Sequence, residues 1–517
     1  MSTFYCLSKY FHNPRHHWCT TCRVNGALRS MLKKGSAMAA NDVYFYGENV
    51  AAFQVILEEV TRAKPGSPET RFITQDAGTS DRLGSKFHHV LFGRRGSGKS
   101  SLLRHLEAGK QLDGHLVAWV DQEVFMSLAF PDVLVSTLEQ IFRDYASQIA
   151  KKDSTPIPKK KFWQRKQLPD DGQQLVLDLR EAVAKLEELK SAPDEAEVEW
   201  TATTTSQQSQ GSGSSAQLSL GDSHAAGRLG HSRDKKRSSG RSDSTVQRYK
   251  TKKGDHLEKA LPVYRSLIQR VTAKYPDAYV IIDDLYRLPA EDQPKVLGYI
   301  HRTVKDTGTW IKVGSIRYWT KLYAGGPPAI GIQAPHDVRT LSLDRGLLDF
   351  KSSKRFLESI LVALAGEVEV NIERLLSDGA RDRLVLASGG VPRDYIGLLS
   401  ESIALARNRG PSSKTGSERV IAEDVNGAAG RTLEFKMSDL QEDAPMDAAD
   451  LQRLLIKLTN HCRKTKSACF LVDVLEEELV QQVNRLQNMR FVHAVAEQES
   501  VPDPESSRYN VYLLDVS

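Results

Sequence analysis

The stretch His89–Leu106, HVLFGRRGSGKSSLLRHL, decides the fold. Within it Gly93, Arg94, Arg95, Gly96, Ser97, Gly98, Lys99 and Ser100 fit G-x-x-x-x-G-K-[ST], the phosphate-binding loop. Val90, Leu91 and Phe92 precede the loop as an apolar run and predict a buried strand. Leu102, Leu103 and Leu106 follow at helical spacing, so the motif has the strand–loop–helix context it requires. Glycines let the backbone curl around a phosphate so that successive N–H groups point inward. The helix opening near Gly98 turns the positive end of its dipole on the same anion. Lys99 is expected to reach the outer phosphates and Ser100 to ligate Mg²⁺, with Ser97 and Ser101 completing the loop's polar lining.

A second motif lies far downstream. Residues 278–289 read AYVIIDDLYRLP, a β-prone apolar run that ends on Asp283 and Asp284. A buried strand fixes its first terminal carboxylate at the carboxyl edge of a parallel sheet, which is where ligands bind in open α/β folds. Asp283 is the expected holder of Mg²⁺, and Asp284 is placed to orient or deprotonate an attacking water. The two motifs together are the Walker A and B pair and predict ATP with Mg²⁺ as the ligands.

Composition sets the limits around them. The chain has 517 residues, 40% hydrophobic and 26% charged, enough for two to four domains. No apolar run approaches bilayer length and the N-terminus lacks a continuous apolar core, so the reading is a cytoplasmic protein with no membrane partner. Five cysteines (Cys6, Cys19, Cys22, Cys462, Cys469) are too few and odd in number for a disulfide framework. His16, His17, Cys19 and Cys22, with Cys6 or His12, could furnish zinc ligands, but little core surrounds them and a disordered tail over 1–40 is the plainer reading. The net charge of +6 is uneven: between Arg228 and Lys253 ten Lys/Arg face two Asp, so this segment holds the attraction for polyanions such as DNA.

In chain order, Asn49–Lys64 predicts an amphipathic helix leading towards the core, and Pro65–Ser85 a loop. His115–Asp121 predicts a second buried strand and Phe125–Ala150 a long helix. The core domain is thus assigned to 41–150 and 256–345, interrupted by an insertion over 151–255. That insertion holds a helical piece (Gly172–Lys190) and a Ser/Thr/Gln/Gly-rich, basic low-complexity arm expected to be mobile. Trp310–Arg317 and Val338–Leu343 predict further strands. Helices over 346–435 predict a lid. Helices at Asp450–Asn460 and Val474–Leu486, followed by strands at Phe491–Ala496 and Arg508–Asp515, predict a winged-helix module over 446–517. The fold class is α/β: a phosphate-loop parallel sheet flanked by helices, with a helical lid, a C-terminal winged helix and a long, partly disordered insertion.

This order of motifs resembles the AAA+ ATPases, in particular the origin-recognition initiator-like group. The resemblance implies that Ser315, in Gly314-Ser315-Ile316-Arg317, is the sensor 1 contact to the γ-phosphate or the water. It implies that Arg393, in Gly390-Val391-Pro392-Arg393, is the lid's sensor 2 arginine. It also offers Arg339 as an arginine finger acting on a neighbouring subunit in a nucleotide-dependent homo-oligomer. Two departures stand out. Asp284 occupies a position where the family usually has Glu, which implies slow hydrolysis and a switch rather than a motor. Glu476, Glu477 and Glu478 open the helix that would be a recognition helix, and they repel phosphate, only partly offset by Arg463, Lys464 and Lys466. Two functions follow: an ATP-hydrolysing switch that couples nucleotide state to DNA or a partner protein, or a non-catalytic nucleotide-binding scaffold or signal-transduction-type ATPase whose winged helix binds protein.

Overall fold

The computed structural model describes residues 45–61, 73, 77–153, 171–193, 195–204, 243–344, 347–409, 419–443, 448–500 and 508–515. The Cys/His cluster before residue 40, the basic run at 159–161 and the low-complexity stretch at 205–242 lie outside the described residues.

Five parallel strands form the central sheet. They are β1 (His89–Phe92), β2 (Val117–Asp121), β5 (Ala278–Asp283), β6 (Thr309–Ser315) and β9 (Arg339–Ser342), in spatial order β2-β5-β6-β1-β9. Both faces are covered, which is why these strands read as continuous apolar runs. On one face Leu91, Val117, Tyr279, Ile281 and Leu341 meet Leu102, Leu103 and Leu106 of α3 (Lys99–Leu112). On the other, Val90, Phe92, Val120, Val280 and Ile282 join α4 (Asp132–Asp153), α6 (Lys253–Lys274) and α7 (Gln293–Val304). The alternation of Val90 and Phe92 against Leu91 is the two-residue period of a strand. Because all five strands are parallel, the ends of β1, β5 and β6 open on one edge.

Two local expectations need correction, and two parts of the insertion take definite form. The expected loop Pro65–Ser85 contains helix α2 (Ala77–Gly84), whose Leu83 is fully buried beside Leu102 and Leu106. The helix expected to lead into the core, α1 (Glu48–Glu59), instead buries Val50, Phe53 and Leu57 among the lid helices. The insertion's α5 (Asp171–Ser191) is part of the main core through Leu175, Leu179 and Leu186, packed along α4. Within the insertion, β3 (Glu195–Thr204) pairs with β4 (Asp243–Lys252) as an antiparallel ribbon. Its register sets Glu195, Glu197 and Glu199 opposite Lys252, Lys250 and Arg248. A small hairpin, β7 (Tyr323–Ala324) with β8 (Ile330–Gly331), sits between β6 and β9.

The lid is built from α8 (Phe350–Gly366), α9 (Ile372–Leu375), α10 (Asp378–Ala387), α11 (Pro392–Arg409) and α12 (Ala422–Asp443), around Leu357, Leu361, Leu384, Tyr395, Leu399 and Val425. The C-terminal module runs α13 (Ala448–Thr465), β10 (Cys469–Asp473), α14 (Glu477–Asn488), β11 (Val492–Ser500) and β12 (Arg508–Leu514). This is the helix–strand–helix–hairpin order of a winged helix, with β10 added to the expected hairpin to give the sheet order β10-β12-β11. Among the described residues no helix is long and apolar enough to cross a membrane.

Candidate nucleotide-binding site

The phosphate loop leaves β1 and enters α3 through two left-handed glycines, Gly96 (φ +81°) and Gly98 (φ +94°). Gly98 is the N-cap of α3 and a Cβ there would meet open space, so the helix's first amides face room for an anion. Lys99 is buried. Its Nζ donates to the carbonyls of Gly93 (2.9 Å) and Arg94 (3.2 Å) and lies 6.0 Å from the centre of the Tyr286 ring. Burial pushes its pKa down, and Asp284, Asp283 and Asp344 oppose that shift. A phosphate oxygen is a stronger acceptor than either carbonyl and fits this ammonium.

Asp283, the last residue of β5, is almost wholly buried. Burial pushes its pKa up; the Ser100 hydroxyl, which hydrogen-bonds to the carboxylate, and the Lys99 charge pull it back. The Asp284 amide also donates to Asp283 Oδ1 at 3.0 Å. The carboxylate lies against Gly314 of β6, where a Cβ would stand 2.5 Å from Asp283 Oδ1 and 2.8 Å from Leu103 Cδ1. Ser100 and Asp283, a hydroxyl bonded to a carboxylate beside the loop, are a donor set suited to Mg²⁺. Asp284 turns left-handed (φ +52°) and opens the short helical turn Leu285–Arg287. Burial first, then the Asp283 charge, raise its pKa to about 7.

Sequence reasoning missed several neighbours. Asp121, at the end of β2, is the register partner of Asp283, and the ligand atoms of Asp121, Glu123 and Asp284 lie within 4.8 Å of one another. The signal was present, since HLVAWVD is also an apolar strand ending on an acid. Tyr286 and Asp344 carried no comparable signal.

The residues implied by resemblance take varied positions. Ser315 ends β6 opposite Phe92, and its carbonyl accepts from the Gly93 amide at 3.2 Å, at the root of the loop. Its buried hydroxyl is bonded to Thr320 Oγ1 at 2.5 Å. Arg393 lies in the first turn of α11. Its amide donates to the Gly96 carbonyl at 3.3 Å and its Nε to the Thr61 carbonyl at 3.0 Å. A Cβ on Gly96 would stand 2.8 Å from Arg393 Cβ, so Gly96 serves both the loop's turn and the lid's approach. Arg339 starts β9 opposite His89, at the end of the sheet remote from the loop, and its guanidinium stacks 4.7 Å over Phe87. Arg94 points away from the open space at Gly98: its amide and Nε meet Asp344 Oδ1 at 2.7 and 3.4 Å, and its guanidinium is buried against the lid and the C-terminal module. Ser101 is exposed on α3, and Ser97, whose amide donates to the Arg94 carbonyl at 3.1 Å, is buried inside the loop.

Loop, acid-tipped strand, polar-tipped strand and lid therefore meet at one edge of one sheet. No protein-family model matches the chain, and no curated protein matches it. Among solved structures it is similar to the ORC1 protein of Aeropyrum pernix in complex with DNA, at 14% identity and a TM-score of 0.34, over 90% of this chain and 93% of that one. It is also similar to two variants of Thermotoga maritima RuvB, each at 15% identity. Their TM-scores are 0.21 and 0.23, over 34% and 49% of this chain and 55% and 73% of those chains.

Proposed function

We propose that the protein binds ATP with Mg²⁺ and hydrolyses it slowly, as a switch whose lid and C-terminal winged helix respond to the nucleotide. The convergence of Lys99, Ser100, Asp283 and Asp284 on the open end of the glycine loop supports this reading. In it, the loop amides and Lys99 would hold the phosphates and Ser100 and Asp283 would hold the metal, which when bound would supply charge neutralisation for phosphoryl transfer. Asp284 accepts a proton from the attacking water, with a shorter reach than a glutamate would have. Arg393 approaches from the lid, and Ser315 acts at the loop's root.

Steady-state phosphate release from the wild type and from Lys99→Ala tests this. Turnover in the first that is absent from the second is expected. A pure wild type that binds ATP without releasing phosphate would leave only the nucleotide-binding scaffold.

The partner side of the switch is DNA, reached through the basic segment 228–253, where ten cations stand against two acids. Neutralising phosphates releases counterions, so replacing Arg228, Arg233, Lys235, Lys236, Arg237 and Arg241 with Gln, which leaves β4 and the Lys253–Asp132 pair in place, should weaken binding and flatten its salt dependence. An unchanged salt slope would turn the reading to a protein partner. Nucleotide-dependent self-association is the companion expectation, read by mass photometry with ATP, ADP and DNA in turn.

A further inference from the structure

The phosphate loop is held from outside as well as within. Arg94 is 2% exposed, and its guanidinium touches three parts of the molecule at once. Nε faces Asp344 just beyond β9, Nη2 donates to the carbonyl of Gly389 at the end of the lid's α10 (3.2 Å), and Nη1 meets Nδ1 of His493 on β11 (3.4 Å). A guanidinium only donates, so His493 Nδ1 is the acceptor and the ring proton sits on Nε2. Nε2 faces Asp515 Oδ1 at 3.7 Å, and Asp515 pairs with Lys436 of α12. Burial pushes the His493 pKa down, in keeping with a neutral ring that accepts from arginine.

The fit around this contact is close. Gly389 is left-handed (φ +57°), and a Cβ there would stand 2.1 Å from the His493 ring. Arg490, just before β11, donates to Asp394 of the lid at 2.5 Å, both side chains nearly buried. Trp319, four residues past the end of β6, packs into the hydrophobic cluster of the C-terminal module. The module thus rests on the loop, the lid and the turn after the sensor strand. The same Arg94 whose side chain it grips supplies one of the two carbonyls that hold Lys99 Nζ.

We propose that His493 is a positioning residue of the nucleotide site. Through Arg94 it sets the phosphate loop, so that loop occupancy and seating of the C-terminal module form one equilibrium. This rests on the nucleotide-binding reading above. Linkage makes the effect reciprocal: if seating tightens nucleotide binding, nucleotide must tighten seating by the same factor.

The test uses the full chain with Mg·ATP and a fluorescent ADP as probes. His493→Leu removes the acceptor, and His493→Gln restores one. The leucine variant is expected to weaken ADP binding about tenfold, and the glutamine variant to recover it to within about threefold. In the wild type, saturating nucleotide should slow amide exchange over 492–497 and 508–514, a protection lost in His493→Leu. If His493→Leu does not fold, Arg94→Met carries the same measurement from the other side of the contact. Equal ADP affinity in a folded His493→Leu (or Arg94→Met) and the wild type, with unchanged exchange in the module, overturns the coupling. A wild type that binds no nucleotide overturns the functional reading itself, and with it the coupling.

Discussion

Two buried lysines stand at the central sheet, one on the helix that leaves its edge and one on β6, and they live in opposite company. Lys99, at the carboxyl edge, has Asp283, Asp284 and Asp344 around it and open space beside Gly98. Lys312, on β6 opposite His89, is fully buried. It is satisfied by the carbonyls of Ser85 (2.7 Å) and Phe87 (2.8 Å) and by His89 Nδ1 (3.1 Å). Burial pulls its pKa down to about 7, and Lys110 adds to the shift. On the proposed reading, a buried cation among carboxylates that faces room is suited to a polyanionic ligand with its metal. A buried cation closed in by carbonyls and imidazoles is a structural fixture. Burial alone does not separate the two; the surrounding charge does.

The largest break in that comparison is Lys99→Ala. It should lower ATP affinity or turnover at least about a hundredfold, because on the proposed reading the loop loses the buried ammonium that would meet the phosphates. Phosphate release and a binding titration read this, while the unfolding midpoint stays near that of the wild type. Lys312→Met should do the reverse, leaving nucleotide binding intact.

Gly314→Ala comes next. A Cβ 2.5 Å from Asp283 Oδ1 must push the carboxylate away from Ser100. Turnover should fall about tenfold or more while metal-free ADP affinity changes little, with a stability cost of about 1–3 kcal/mol from overpacking. Normal Mg²⁺ dependence in this variant would refute the placement of Asp283.

A subtler effect concerns pH. The folded pKa of Lys312, about 7, lies below its ordinary 10.5. Between those values the unfolded chain holds a proton that the folded chain lacks, so stability rises with pH across that window, by at most about 1.4 kcal/mol per unit. Urea unfolding from pH 7 to 10 should show this slope in the wild type and a flatter one in Lys312→Met.

The smallest effect lies on the acid side. His88 and His89 are both pushed down to about 4, chiefly by burial, so stability should fall as pH drops from 6.5 towards 4. His88→Asn should lessen that fall in thermal unfolding. An identical acid profile would show that the ring titrates as it does in the open chain.

The legible parts of this site were those made by neighbours in sequence. The turn from β1 into α3 needs Gly96, Gly98 and Lys99 within a few residues, and β5 ends on its own two acids, so both could be read directly. Asp121 repeats the second signal and was overlooked because no motif includes it. The pairing of β3 with β4 lay in a stretch whose composition predicts mobility, and only the backbone register shows which residues face one another. β10 is a five-residue strand whose partner β12 comes nearly forty residues later, and α1 was assigned by its place in the chain rather than by the face that covers it.

Local periodicity and short motifs carry the glycine loop, the acid-tipped strand and the parallel α/β core, so these could be read along the chain. Only the tertiary structure decided which lysine faces ligand space, which glycine makes way for Asp283, and that Arg94 leaves the loop to meet His493. Those outcomes depend on contacts between residues up to 399 positions apart, and on the burial and charge that such contacts create, which no window along the chain contains.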